Sequence, residues 1–283
     1  MFFCAPPHTI REVSVLGDVM NKIFLGFAGE MASGKGTATE LIKQWYPGTP
    51  SFRFSDSLRD CYSSLLGELT PIGAIHRHIP GVVFDCDDEA VRLTIRIVAA
   101  RAFGIPLHAR DVDAPHAAFA TWVIDEFIPA HAGVWSASAS TPDLQAISTA
   151  VRRIFGENIL ERALMARAAG VATPSPFIVI EGIRRLVDIS TLMYNPDVVF
   201  RLTYVFAHTG IRHERHRLRN EKPGDALLTL EQFIELGKAE AEREIRLLEG
   251  HAHAVIDNGG SPEAFEAAVS ATLSDWLIEH SGA

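Results

Sequence analysis

Five short apolar runs punctuate the chain: KIFLGFA (22–28), SFRFS (51–55), PFIVIE (176–181), VFRLTYVFA (199–207) and HAVID (253–257). Most are continuous rather than alternating in polarity, the pattern of strands buried on both faces of a parallel sheet. Helical patterns separate them. KGTATELIKQWY (35–46) halts at Pro47-Gly48, a strong helix stop. TLEQFIELGKAEAEREIRLLEG (229–250) predicts a long amphipathic helix with its charges on one side. A last helix is predicted from Ser261-Pro262, with serine as N-cap and proline at the first helical position. Strands alternating with helices predict an α/β fold that binds ligands at the carboxyl ends of its strands.

The interval 56–175 breaks the alternation, for no strand pattern appears in it, and it is too long for a loop. EAVRLTIRIVAARAFG (89–104) and HAAFATWVIDEFI (116–128) predict helices, and Phe119, Val123 and Phe127 fall on one face of the second. PAHAGVWSASASTP (129–142), rich in small residues and proline, predicts a connection. The expected organisation is an N-terminal extension (1–20), a core from 21–55 and 176–283, and a mainly helical insertion from 56–175. Met20 heads the first strand pattern, so residues 1–19 are expected to be a peripheral extension.

Composition adds bounds. Hydrophobic residues make up 47% and charged residues 22%, ordinary values for a globular chain. The net charge of -9 argues against a nucleic-acid polymer as partner. Cys4, Cys61 and Cys86 form no CxxC pair, so a reducing, cytoplasmic setting is expected, with Cys61 a small core residue. No apolar run reaches membrane-spanning length, and no membrane partner is expected. The first residues lack the basic and apolar regions of a signal peptide.

GEMASGKGT (29–37) brings in chemistry. Gly29-x4-Gly34-Lys35-Gly36-Thr37 fits the P-loop pattern, with a strand pattern before it and a helix pattern after it. Glycines let backbone N–H groups turn inward around a β-phosphate, and the helix N-terminus adds its dipole. Lys35 is placed for the β- and γ-phosphates, and the Thr37 hydroxyl for Mg2+. Three further segments carry arginine. FSDSLRD (54–60) follows the second strand with Asp56 and Arg59. VIEGIRR (179–185) ends the third with Glu181 and Arg184. IRHERHRLRNEKPGD (211–225) follows the fourth and is densely basic in an acidic chain. Arginines converging on a triphosphate suit a second phosphorylated ligand and the charge that develops in phosphoryl transfer.

Taken in order, GEMASGKGT, FSDSLRD, LQAISTAVRRIFGENI (144–159), VIEGIRR, RHERHRLRNEKPGD and VIDNGGSPEAF (255–265) resemble the nucleoside monophosphate kinases. The resemblance is closest to their deoxynucleotide monophosphate kinase and dephospho-CoA kinase-like branch. It covers 21–66 and roughly 143–275. It implies a P-loop NTPase sandwich of three α/β/α layers, a five-stranded parallel sheet, an acceptor-binding lobe and a LID at about 208–226. It also implies ATP and Mg2+ as cofactors and a nucleoside or deoxynucleoside monophosphate acceptor, in a monomer or homodimer. Gly29, Ala32, Ser33, Gly34, Lys35, Gly36 and Thr37 would hold ATP, with Arg212 and Asn258 beside it. Asp56, Arg59, Arg152, Arg184 and Arg219 would meet the acceptor. Lys35, Arg184 and Arg215 would serve catalysis, and Thr37 and Glu181 the metal. Two features depart from the family. Glu181 stands where Asp is usual, and the stretch from about Gly67 to Pro142 exceeds the usual acceptor-binding helices. The alternatives are dephospho-CoA as acceptor, or a nucleotide-dependent switch or assembly module with no small acceptor.

Other tempting clusters read as ordinary surface. HRH (76–78) and DCDDE (85–89) match no standard zinc-ligand spacing and are expected to be solvated loop or helix cap. HERH (213–216) lacks the spacing of a HExxH metalloprotease helix.

Overall fold

A computed structural model describes residues 22–71, 88–107, 114–131, 135–220, 224–238 and 244–281. His76–His78 and Asp85–Cys86 lie outside them, as does the N-terminal extension. The chain forms two compact units, Met1–Phe52 with Ala168–Ala283, and Arg53–Arg167.

The first unit is α/β, built on a five-stranded parallel sheet in the order β2-β3-β1-β4-β5. The strands are β1 (Ile23–Ala28), β2 (Ser51–Arg53), β3 (Phe177–Glu181), β4 (Val199–Phe206) and β5 (Ala254–Asp257). All five fall on the predicted runs. β1 is central and buried at every position, which is why its sequence is a continuous apolar run. Ile23, Leu25 and Phe27 pack with Ala38 and Ile42 of α1 (Lys35–Trp45) and with Phe265, Val269, Leu273 and Trp276 of the last helix (Pro262–Ser281). Each of the large aliphatic and aromatic side chains among them contributes about 1.5–3 kcal/mol by leaving water. The opposite face is as dense. A Cβ on Gly26 would lie 2.6 Å from Ile183 and 2.7 Å from Phe200. α1 stops where predicted: the amide of Tyr46 donates to Ile42 O at 2.8 Å, and Gly48 takes φ +84. Ser261 caps the last helix through the amide of Ala264.

Parallel register then sets the working edge. Gly26 pairs with Ile180, Ala28 with Tyr204, and Phe206 with Asp257. The carboxyl ends of β1, β3, β4 and β5 therefore open on one edge, from which the loop after β1, the turn after β3, helix α8 (Thr209–Arg219, which follows the short helix α7, Ser190–Tyr194) and Asn258 emerge. One prediction is corrected here. The stretch 229–250 is not one long helix: helix α9 (Leu230–Leu236), capped by Thr229 and Gln232, ends at Gly237, and a 3-10 helix (Ile245–His251) resumes beyond the undescribed 239–243. Glycine gives up more freedom in a helix than other residues, so the charged stripe alone did not carry the helix through.

The second unit is helical in its described residues: α2 (Phe54–Leu69), α3 (Asp88–Phe103), α4 (Ala114–Trp122), α5 (Thr141–Phe155) and α6 (Ile159–Ala169), whose last turn crosses into the first unit. The second predicted strand is shorter than its run, because helix α2 begins at Phe54. The Asp56 carboxylate accepts from the Arg53 amide at 2.8 Å and closes a capping box there. α4 continues through a wide π turn (Val123–Phe127), and Phe119, Val123 and Phe127 are all buried as predicted. Tyr62, Phe127, His131 and Trp135 form an aromatic cluster. Cys61 is fully buried, and burial pushes its thiol pKa far up, so it acts as core.

Asp143 caps α5. Its carboxylate accepts from the amide and hydroxyl of Ser140, both at 2.7 Å, and lies 2.8 Å from His131 Nε2. Burial works to raise its pKa, but the Ser140 and His131 hydrogen bonds outweigh it and hold the carboxyl below its ordinary value. A depressed folded pKa adds stability that is present above the unfolded pKa and lost as pH falls through the folded one. Asp143→Asn is expected to cost about 1 kcal/mol at pH 7. Its Tm deficit against wild type should close as pH falls below the ordinary carboxylate range, as thermal melts across pH would show.

Candidate active-site cleft

The loop between β1 and α1 is shaped by residues that few sequences allow. Gly29 has φ +140, and a Cβ there would lie 2.3 Å from the carbonyl oxygen of Val205 in β4. Gly34 has φ +113, and a Cβ there would lie 2.1 Å from Asn258 Nδ2. Between them Ala32 is left-handed, at φ +61. This path turns the chain into the first turn of α1, whose amides have no intrahelical partner. Lys35 folds over the loop and donates to Gly29 O at 2.6 Å and Glu30 O at 2.9 Å. Ser33 Oγ is buried with no hydrogen-bond partner among the described residues.

The loop walls a cleft of about 690 Å³ at the carboxyl edge of the sheet, a size typical of small-ligand sites. Ala32, Ser33, Gly34, Lys35, Gly36 and Thr37 line it, and so do Arg184 after β3 and Arg215 and Arg219 of α8. Met31, Leu41, Leu218, Ile245 and Phe265 supply apolar wall. Four cationic side chains thus face one cleft of an acidic protein, with Glu266 the one carboxylate among the described lining residues.

Asn258 is buried and works as a brace. Its Nδ2 donates to Ser33 O at 2.8 Å, its backbone amide to Phe206 O at 2.7 Å, and its Oδ1 accepts from Arg215 Nη2 at 3.3 Å. Arg215 Nη1 is buried without a hydrogen-bond partner among the described residues. Arg212, also buried, points elsewhere. It donates to Ala207 O (3.0 Å), Met31 O (3.3 Å) and Thr209 Oγ1 (3.2 Å), pairs with Glu30 (3.0 Å), and sits over the Phe233 ring. Arg246 holds the other Glu30 oxygen at 2.9 Å; the hydrogen bonds and charge of Glu30 raise its pKa. Burial, then Glu30 and Glu249, push the Tyr204 phenol up to about 12.

Glu181 ends β3 beside the lining residue Gly182, with Lys43 Nζ 4.0 Å from its carboxylate. Thr37 is exposed on the first turn of α1. Both offer the hard oxygen donors that Mg2+ takes, and Mg2+ sites normally complete their shell with water and phosphate rather than with a dense protein cage. The remaining predicted residues sit in the helical unit. Asp56 is the α2 cap, and Arg59 is exposed on α2. Arg152 is buried on α5 and donates to Glu157 O at 2.6 Å and Ser148 Oγ at 3.4 Å.

Sequence reasoning missed Glu30 and Arg246. Glu30 occupies a variable position of the motif, and Arg246 lies in a charged stretch indistinguishable from a solvated helix face. An acid at a variable position of the P-loop pattern was the available signal.

No protein-family model matches the chain, and no curated protein matches it. Among solved structures it is similar to the crystal structure of TT1252 from Thermus thermophilus, at 19% identity and a TM-score of 0.43, over 90% of this chain and 97% of that one. No described helix is long and apolar enough to cross a membrane.

Proposed function

We propose that the chain is an ATP-dependent phosphotransferase of the nucleoside monophosphate kinase type, with a P-loop NTPase core and a LID around 208–226. The observation that carries this reading is the cleft itself: Lys35, Arg184, Arg215 and Arg219 reach it from three separate segments around a glycine-shaped loop and a helix N-terminus. Such an arrangement suits a polyphosphate, since each cation meets charge that neutral ligands lack. Arg215 Nη1 and Ser33 Oγ, which have no partner among the described residues, are donors that a bound phosphate would satisfy.

In this mechanism the acceptor phosphate oxygen attacks in line, and no strong protein base is needed. Lys35 leaves the Gly29 and Glu30 carbonyls for the β- and γ-phosphate oxygens. Arg184 and Arg215 neutralise charge on the transferring group, and Arg219 orients the acceptor. Thr37 and Glu181 would hold Mg2+, and the ion bound there would supply charge neutralisation. Asn258 keeps the loop and Arg215 in register beside the donor. Asp56, Arg59 and Arg152 enter as acceptor contacts on the resemblance alone.

A coupled ADP assay over a panel of ribo- and deoxyribonucleoside monophosphates, with dephospho-CoA as a separate arm, tests the proposal. ADP release stimulated by a monophosphate is the expected result. Stimulation by dephospho-CoA alone reassigns the acceptor. Release no faster than the acceptor-free background with every compound removes the phosphotransfer reading.

A further inference from the structure

Glu30 poses an electrostatic problem that rests on the phosphotransfer reading: it places a carboxylate on the second residue of a loop meant for a polyphosphate. At a few ångströms, like charges in a partly dry cleft repel by several kcal/mol before screening. The structure answers with two guanidinium groups. Arg212 Nη2 lies 3.0 Å from one oxygen of Glu30, and Arg246 Nη2 lies 2.9 Å from the other, with its Nε at 3.2 Å.

Arg212 does more than neutralise. It is 5% exposed, and all three of its nitrogens are used. One reaches Ala207 O just beyond β4, another reaches Met31 O in the loop, and the third serves Thr209 and Glu30. It therefore spans from the sheet edge to the loop, immediately before the left-handed Ala32. A non-glycine residue held there costs of order 1–3 kcal/mol and persists only where its surroundings over-determine it. Arg212 and the Asn258 brace at Ser33 supply that constraint from either side of Ala32.

We propose that Arg212 and Arg246 are positioning residues which, through Glu30, fix the conformation and the net charge of the loop. Neither touches the nucleotide. Arg212 and Arg246 are not among the described residues that line the cleft, and Arg246 acts by holding Glu30.

The test uses the full chain with Glu30→Gln, Arg246→Gln and the double variant. Arg212 is too deeply built in to be the primary probe. Hydrogen exchange across 29–37 in the nucleotide-free protein reads loop order directly, and titration calorimetry reads MgATP affinity. Glu30→Gln is expected to exchange faster in the loop and to bind MgATP about tenfold more weakly, with Tm and acceptor KM little changed. The double variant should be no worse than Glu30→Gln alone. Unchanged loop exchange, or ATP binding as tight as or tighter than wild type, overturns the proposal. Additive losses in the double variant overturn the part given to Arg246, because additivity means a direct nucleotide contact. The exchange experiment needs no turnover, so wild-type protein that transfers no phosphate would remove the kinase reading and leave this result standing.

Discussion

Lys35→Ala is expected to lower kcat/KM for the proposed ATP-dependent transfer by about 10²–10³-fold, the usual cost of removing one preorganised donor from a charge-stabilising site. Lys35 carries the one ammonium among the described lining residues of the cleft, and the Gly29 and Glu30 carbonyls hold it over the loop. Those carbonyls are neutral and weaker partners than phosphate oxygens, so the side chain can transfer from them to a ligand. The arginines do not substitute for it, since Arg184, Arg215 and Arg219 approach from after β3 and from α8. The fold should survive, because alanine is the best helix former and Lys35 opens α1. Thermal melts beside single-turnover assays separate the two effects. A variant that keeps the wild-type rate would show that Lys35 does not meet the transferred group.

Gly29→Ala is expected to fail at the level of the fold. Its Cβ would stand 2.3 Å from Val205 O and 2.8 Å from Ser33 Oγ, at a φ of +140 that side chains rarely adopt. Val205 belongs to β4, the direct neighbour of β1, so relief requires the two central strands to part. Overpacking and backbone strain together make a loss of about 3 kcal/mol or more the expected outcome. Gly36→Ala is the control. Nothing lies within 4 Å of its Cβ position, and it sits inside α1. Alanine there should leave stability unchanged or raise it by up to about 1 kcal/mol. Paired denaturant melts decide the matter; equal stability of the two variants would mean that the loop adapts around Gly29.

These contrasts show how far local pattern reaches. The five strands lie on the five apolar runs, because strands buried on both faces must be apolar at every position, and that requirement is local. Helix ends at Tyr46 and Ser261 follow equally local rules of capping. Strand two was read too long, because its final residues double as the first turn of a helix that Asp56 caps. The long helix over 229–250 failed at Gly237, where the propensity of one residue outweighed a periodic charge pattern.

The site divides along the same line. By itself the sequence determined that a glycine-shaped turn joins a strand to a helix that opens with a lysine and a threonine, because glycine is demanded by the backbone geometry of such a turn. Only the tertiary structure decided what each arginine does. Arg212 and Arg215 are three residues apart on one helix, yet one is spent as a strut from Ala207 to Met31 and the other lines the cleft. Asn258 likewise became the brace of the loop because β5 lies beside β4 and β4 beside β1. Apolar runs announce that a strand is buried but not which strand is its neighbour, and a charged side chain takes its role from those neighbours.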